Sequence, residues 1–327
     1  MNILDKNATY KLFANALTPR GYSLDFDSNY PATATYTSPH GMVWKTRAAH
    51  ITYPMNTRKV YEAALRKDLS YEIAAEAGLE IPKTVSYNEQ MSDKDLDKLL
   101  QDWGTVVVKP TNLFQSKGVT VGLQTLSALK QALRDAQAFS SHVLIQQQVE
   151  GEEIRFTVIN REVEAALLRR TARVEGDGIS SLADLIRREN KQRRTLHFKY
   201  LSYPLLDETL VDPELLGSDH VPAKGEVVEL NRSTLIRGGC SVYNILSEVD
   251  ASYVKLAKKA AEQLGAGVAV VDIFCHDYKQ PASRGNYWFN EFNTAPSVRL
   301  YYSCRDGKQY DIVERLADAI DSYLHTA

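Results

Sequence analysis

Leu65, Leu69, Ile73 and Ala77 recur at four-residue spacing and form an apolar stripe, with Gly78 at its end and Pro82 just beyond. That spacing predicts a helix from about residue 56, because residues four apart share a helical face and Gly and Pro close it. The period then changes. Val106-Val107-Val108-Lys109 predicts a short buried strand, and residues 118–122 its returning partner. Leu126, Leu129, Leu133 and Ala136 restore the helical spacing, and residues 143–147 and 154–159 predict two further strands around Glu150-Gly151. This order predicts a small α+β lobe.

Residues 163–170 predict a strand that runs into Glu175-Gly176-Asp177-Gly178, a stretch dense in turn residues. Ser181-x-x-Asp184 predicts a capping box for a helix over 182–190. Five basic residues, Arg187, Arg188, Lys191, Arg193 and Arg194, follow within eight positions. Two readings of that run stand: a solvated helix face, or a basic lid over polyphosphate. Strands are predicted at 227–229, 268–274 and 287–292, a helix over 253–264 ending at Gly265, and a closing helix on Ile312, Leu316 and Ala319. The first 60 residues are weakly patterned. Residues 30–47 predict a hairpin turning at Ser38-Pro39-His40-Gly41, as a substrate-recognition lobe or an edge sheet.

A chain of 327 residues suits two or three compact lobes, and 44% hydrophobic with 24% charged residues is ordinary for a soluble globular protein. A net charge of −2 does not favour nucleic acid or an anionic membrane. Cys240, Cys275 and Cys304 are far apart and odd in number, fitting neither a disulfide framework nor a zinc site. Cys240 and Cys275 read as small buried apolar groups. With no signal-peptide core and no spanning segment, the expectation is a soluble cytoplasmic protein without nucleic-acid or membrane partners. A homo-oligomer stays open.

The candidate chemistry lies near the C-terminus. Asp272 sits in an apolar β-branched segment, and Glu291 and Asn293 are two residues apart in the next one. In a strand, Glu291 and Asn293 point to one face, and adjacent strands would bring Asp272 beside them. Carboxylate and amide oxygens suit Mg²⁺, which is held by one or two carboxylates together with nucleotide phosphates. A buried strand ending in a polar turn would also account for the Glu-x-Asn pair alone.

The order of further motifs carries more information. Lys67 precedes Gly78; Lys109 precedes Ser116-Lys117-Gly118; Gln146-Gln147-Gln148-Val149-Glu150-Gly151-Glu152-Glu153-Ile154-Arg155 follows, and then Asp272, Glu291 and Asn293. This succession resembles the ATP-grasp fold, whose members join a carboxylate to an amine through an acyl phosphate. Arg169-Arg170-Thr171-Ala172-Arg173-Val174-Glu175-Gly176-Asp177-Gly178 is similar to the lid segment of cyanophycin synthetase and bifunctional glutathione synthetase. Asn231-Arg232-Ser233-Thr234, Gly238-Gly239 and Asn293-Thr294-Ala295-Pro296-Ser297-Val298-Arg299 resemble further stretches of those enzymes. The resemblance covers residues 60–327, about four-fifths of the chain, and leaves the N-terminal region aside.

The resemblance implies an α+β ATP-grasp domain over 61–327, with a lid at about 161–200 and a separate region 1–60. It implies that Lys67, Lys109, Lys117 and Gly118 hold phosphates and that Gln146 faces the adenine amino edge. Gln148 and Val149 then supply hinge backbone, Glu153 takes the ribose hydroxyls, and Arg155 lies beside it as a phosphate or supporting contact. Asp272, Glu291 and Asn293 become ligands for Mg²⁺, with two ions and Mn²⁺ as the alternative metal, Glu291 bridging. Arg237 and Arg299 bind the acid substrate or oxyanion, since a guanidinium matches a carboxylate with two prongs. The sequence departs from the family at Thr111-Asn112-Leu113-Phe114-Gln115, which lacks glycine. It departs again at Ser297, where a glycine is usual, and at Tyr243, where an acidic residue is frequent and which bears on the amine accepted. The implied function is ATP-dependent ligation of amino-acid or short-peptide substrates, releasing ADP and phosphate. The competing classes are an inactive nucleotide-binding module and a nucleic-acid-associated protein using residues 187–194.

Overall fold

The computed structural model describes residues 7–27, 33–47, 51–111, 118–198, 201–212, 215, 220–231, 238–305 and 310–326. Its centre is a five-stranded antiparallel sheet in the order Ser241–Asn244, Glu162–Arg170, Glu152–Ile159, Val268–Cys275, Tyr287–Asn293. The alternation of a strand assigns its faces. Ile154, Phe156, Leu168, Val271 and Ile273 point to one side, where helices Arg58–Leu65, Lys67–Glu76 and Ala251–Leu264 bury them. On the other side Ile159, Ala165, Leu167 and Val268 pack with Tyr301, Tyr302, helix Ala8–Leu17 and helix Ile312–Thr326. The same side carries the charged and polar residues Glu153, Arg155, Thr157, Asp272 and Glu291.

A four-stranded sheet, in the order Thr84–Ser86, Val143–Gln147, Val106–Pro110, Thr120–Leu123, forms the second lobe. Leu96, Leu100, Leu129 and Leu133, from helices Asp93–Trp103 and Leu126–Gln137, cover one face of it against Val106, Val108 and Ile145. The opposite face, with Lys109 and Gln146, contacts Tyr71 of helix Lys67–Glu76.

Several elements differ from the sequence reading. The expected helix from residue 56 is two helices, Arg58–Leu65 and Lys67–Glu76, separated by extended backbone at Arg66. Leu65 is exposed, so it lies off the apolar stripe. The break opens a new helix at Lys67, whose backbone N–H donates to the carbonyl of Thr111. Helix Ala8–Leu17, strand Ser23–Phe26 and helix Asp93–Trp103 had no predicted counterpart, although Ser92 and Asp95 form a full capping box. The N-terminal hairpin is present as Thr33–Thr37 and Val43–Arg47, with Ser23–Phe26 as a third strand.

Glu162–Arg170 belongs to the central sheet, because both of its neighbours pair with it there. The small unit that follows has its own core, with Ala172, Val174, Leu182, Leu185 and Ile186 packing against Leu206, Val228 and Leu230, so it extends well past residue 200. Its helix Leu182–Arg193 begins at Ser181, whose hydroxyl accepts from the Asp184 N–H at 3.2 Å. The basic run is divided. Arg187 and Arg188 pair with Asp184 and Asp177 on the surface, whereas Arg193 is 1% exposed and donates to Pro204 O, Gly239 O and Ser241 Oγ. One member of an apparent surface run is therefore a core anchor. Among the described residues, no helix is long and apolar enough to cross a membrane.

Candidate active site

Sheet register creates the site. Arg155, Asp272 and Glu291 are direct partners across three adjacent strands, so their side chains leave the same face. Glu153 and Arg169 form the next row towards the edge. Asp272 is fully buried and takes both prongs of Arg155, Nε to Oδ1 at 2.9 Å and Nη2 to Oδ2 at 2.6 Å. Burial alone would lower the Arg155 pKa, but the Asp272 carboxylate, together with Glu153 and Glu291, outweighs it and holds the guanidinium charged. Arg155 thus spends two donors behind the carboxylates, a direction that sequence alone does not reveal.

Asn293 closes the triad. Its Nδ2 lies 3.1 Å from Asp272 Oδ2 and 2.9 Å from Glu291 Oε1. One oxygen of each carboxylate therefore converges on the positive end of an amide dipole, where a cation is favoured. Two carboxylates and an amide are a hard-oxygen set of the kind magnesium takes, so the residues fit the ion. Asp272, Glu291 and Asn293 would hold it, and it would screen phosphate charge.

Two lysines belong to the same electrostatic neighbourhood. Burial pushes the Lys67 ammonium below its ordinary pKa; Glu291 pulls it back up and Lys109 pushes it further down. Two cations held close together in a partly desolvated place are suited to an anion. Lys109 is buried, with its Nζ 2.5 Å from the Tyr71 hydroxyl. Gln146 donates to Thr84 Oγ1 at 2.7 Å and lies within reach of Tyr71.

The connection between the two sheets, from Val143–Gln147 to Glu152–Ile159, is also shaped. Gln148 backbone N–H donates to Thr105 O, and its side chain accepts from the Gly122 N–H at 2.7 Å. Gly151, at φ 136°, lies so close to the end of the central strand that a Cβ would stand 2.5 Å from Cys275 O. Only glycine fits there. Val149 precedes it, half-buried. Burial raises the Glu153 pKa while Arg169, 2.5 Å away, opposes the rise.

Other expected residues are less tied to this cluster. Arg299 is exposed, on the short 3-10 turn Val298–Tyr302, and takes no side-chain partner among the described residues. Gly118 has φ 71°, a left-handed backbone that suits its glycine. Lys117 and Arg237 lie outside the described residues, as do residues 112–116 of the expected phosphate loop. Tyr243 lies elsewhere on the sheet. It pairs with Leu168 and packs on the helix-covered side of the sheet, away from the carboxylates, so it does not line this cluster. Sequence reasoning missed Tyr71 and the Arg169–Glu153 pair. The available signal for Tyr71 was its position four residues after Lys67, on the same helical face.

No family model matches the chain. It is 28% identical over 253 residues to the glutathione biosynthesis bifunctional protein GshAB of Listeria innocua, covering 75% of this chain and 32% of that protein. It is also 28% identical over 266 residues to GshAB of Pasteurella multocida, covering 76% and 34%. The chain thus spans about a third of the length of these curated relatives. Among solved structures, a bifunctional glutathione synthetase from Pasteurella multocida matches with a TM-score of 0.68 at 22% identity, over 97% of this chain and 44% of that one. That coverage extends into the first 60 residues, where the sequence resemblance stops. The D-alanine–D-alanine ligase of Bacillus anthracis matches with a TM-score of 0.50 at 17% identity, over 82% and 69%. The ATP-grasp ligase PsnB, in complex with a precursor variant, Mg and ADP, also reaches 0.50 at 16%, over 83% and 61%. The chain has the α+β ATP-grasp fold.

Proposed function

We propose that this ATP-grasp chain is an ATP-dependent carboxylate–amine ligase, forming an amide bond between amino-acid or short-peptide substrates with release of ADP and phosphate. The observation that carries the reading is the nearness of two charge sets. Asp272, Glu291 and Asn293 converge through the Asn293 amide, Lys67 stands within electrostatic reach of Glu291, and Lys109 within electrostatic reach of Lys67. Polyphosphate with a divalent cation is the ligand that satisfies both sets together.

The division of labour follows. Lys67, Lys109, Lys117 and Gly118 bind phosphates, and Gln146 reads adenine beside the backbone of Gln148 and Val149. Glu153 takes the ribose hydroxyls, while Arg155 orients Asp272. Magnesium, one ion or two, or manganese in its place, would neutralise phosphate charge when bound at Asp272, Glu291 and Asn293. Arg299 and Arg237 bind the acid or the developing oxyanion. An acid attacking the terminal phosphate, followed by a neutral amine attacking the acyl phosphate, needs no enzyme nucleophile. The buried cysteines are accordingly left out of the chemistry.

The names of the relatives direct the first trial towards the acid and amine of glutathione synthesis, with other amino acids and dipeptides after it. ADP release is measured over pairs of substrates, with mass spectrometry of the product. Release that depends on both an acid and an amine, and a product lighter by one water than their sum, supports the reading. Nucleotide binding with no pair turned over would leave a binding module. Cytoplasmic location, and residues 1–60 as a substrate-recognition region, belong to the same proposal; a homo-oligomer is the assembly to test for.

A further inference from the structure

Four buried or half-buried side chains form a directed chain of hydrogen bonds between the two lobes. Lys109 Nζ lies 2.5 Å from Tyr71 Oη, and Tyr71 Oη lies 3.4 Å from Gln146 Oε1. On the far side Gln146 Nε2 lies 2.7 Å from Thr84 Oγ1, which lies 2.8 Å from the carbonyl of Pro82. Both ends have only one possible polarity. An ammonium donates and never accepts, so the Tyr71 oxygen receives that bond and its own proton goes to Gln146. A proline carbonyl only accepts, so the Thr84 proton goes to Pro82 and its oxygen receives the Gln146 amide N–H. Turning the Gln146 amide over would set N–H₂ against the Tyr71 proton and oxygen against a hydroxyl already committed elsewhere. Chained bonds of one polarity reinforce one another.

Tyr71 is placed to serve as this link. Its ring is buried, edge-on to Phe289, and the Lys109 ammonium lies 5.1 Å from its centroid. The link therefore keeps its position even if the hydroxyl is removed.

We propose that Tyr71 is a positioning residue for nucleobase choice: it locks the Gln146 amide with its oxygen available to a donor, so that the site takes ATP over GTP. The inference rests on the nucleotide-site reading above. At the position that distinguishes the two purines, adenine carries an amino donor and guanine a carbonyl acceptor. A fixed carboxamide oxygen accepts from the first and repels the second. Because the lock begins at Lys109, the lysine that holds phosphate also sets the orientation of the group that reads the base.

The test is calorimetric titration of the full chain with Mg·ATP and with Mg·GTP. The wild type is expected to prefer ATP. Tyr71→Phe keeps the ring and its packing but removes the relay; ATP affinity and the ATP-to-GTP ratio should each fall roughly threefold to tenfold, the range of one hydrogen bond. Thr84→Val releases the other end and should move the ratio the same way. In a Gln146→Ala background, Tyr71→Phe should leave the ratio unchanged. A ratio preserved in folded Tyr71→Phe, or in Thr84→Val should the first variant not fold, overturns the relay. A wild type that binds both nucleotides equally overturns it too, while leaving the nucleotide site standing. A wild type that binds neither overturns the nucleotide site and the relay together.

Discussion

The Arg155 guanidinium grips both oxygens of Asp272 in the middle of the central sheet, at 2.9 and 2.6 Å, with the carboxylate wholly shielded from solvent. Such a pair is far costlier to break than to lack, because removing one partner strands the other charge in a desolvated place. Arg155→Met should therefore lower unfolding free energy by about 3–5 kcal/mol. Urea denaturation with a size-matched surface control measures this. A loss under about 1 kcal/mol, the level of a surface pair, would mean that Asp272 finds another partner.

Glu291 is only half-buried and lies opposite Asp272 in the sheet register, so it can change without disturbing the core. Glu291→Gln keeps the shape and removes the charge proposed to meet the metal. ADP release should fall to background while the thermal melt stays near wild type. Substantial turnover by this variant at saturating Mg²⁺ would reduce the triad to a structural role.

Arg299 extends from the short turn that follows the Glu291–Asn293 strand and is exposed. Arg299→Lys keeps the charge but loses the fork. ATP affinity should hold while kcat/KM for the acid falls roughly tenfold to a thousandfold, the range of one charge-assisted or oxyanion contact. A parallel fall in nucleotide affinity would make it a phosphate clamp instead, and no effect on either would shift the acid site to Arg237.

Arg193 joins the small unit to the main sheet through Pro204 O, Gly239 O and Ser241 Oγ, and shares Glu189 with Arg305. Arg193→Met should speed amide exchange across residues 171–230 and cost roughly 3 kcal/mol, as for a broken buried pair. Addition of Mg·ATP should restore part of the protection if the unit closes over nucleotide. Exchange equal to wild type in this segment would show that the apolar core of the unit suffices.

Burial raises the Cys240 thiol to about 11 and the Cys275 thiol to about 12, from an ordinary 9.0. Between pH 9 and those values an unfolded chain has lost these protons and the folded one has kept them. Stability should thus fall as pH rises through that window, with a slope of about 1.4 kcal/mol per pH unit for each thiol. Chemical denaturation at a series of alkaline pH values reads the slope. In the native state near pH 8 a thiol-reactive dye should label neither residue, and prompt labelling would contradict their burial.

Local pattern made much of this fold legible. Period-two and period-four spacings located most of the central strands and helices, since alternation and helical repeat depend only on neighbours along the chain. The Glu291-x-Asn293 spacing even set two site residues on one face, because a strand alternates. Composition hid the N-terminal helix Ala8–Leu17, whose six buried residues are spread through a short, mixed segment. Tertiary structure decided the remainder. The match of Arg155 to Asp272 depends on which residue of one strand faces which of the next, over 117 positions, and register is set by sheet packing as a whole. The meeting of Lys109 with Tyr71 requires a strand of one lobe to lie against a helix of the other. Arg193 looked like its basic neighbours until the chain closed around it. Residue type and spacing determined what chemistry the chain carries; long-range pairing determined which charges meet, because those contacts form between segments that have no local means of sensing one another.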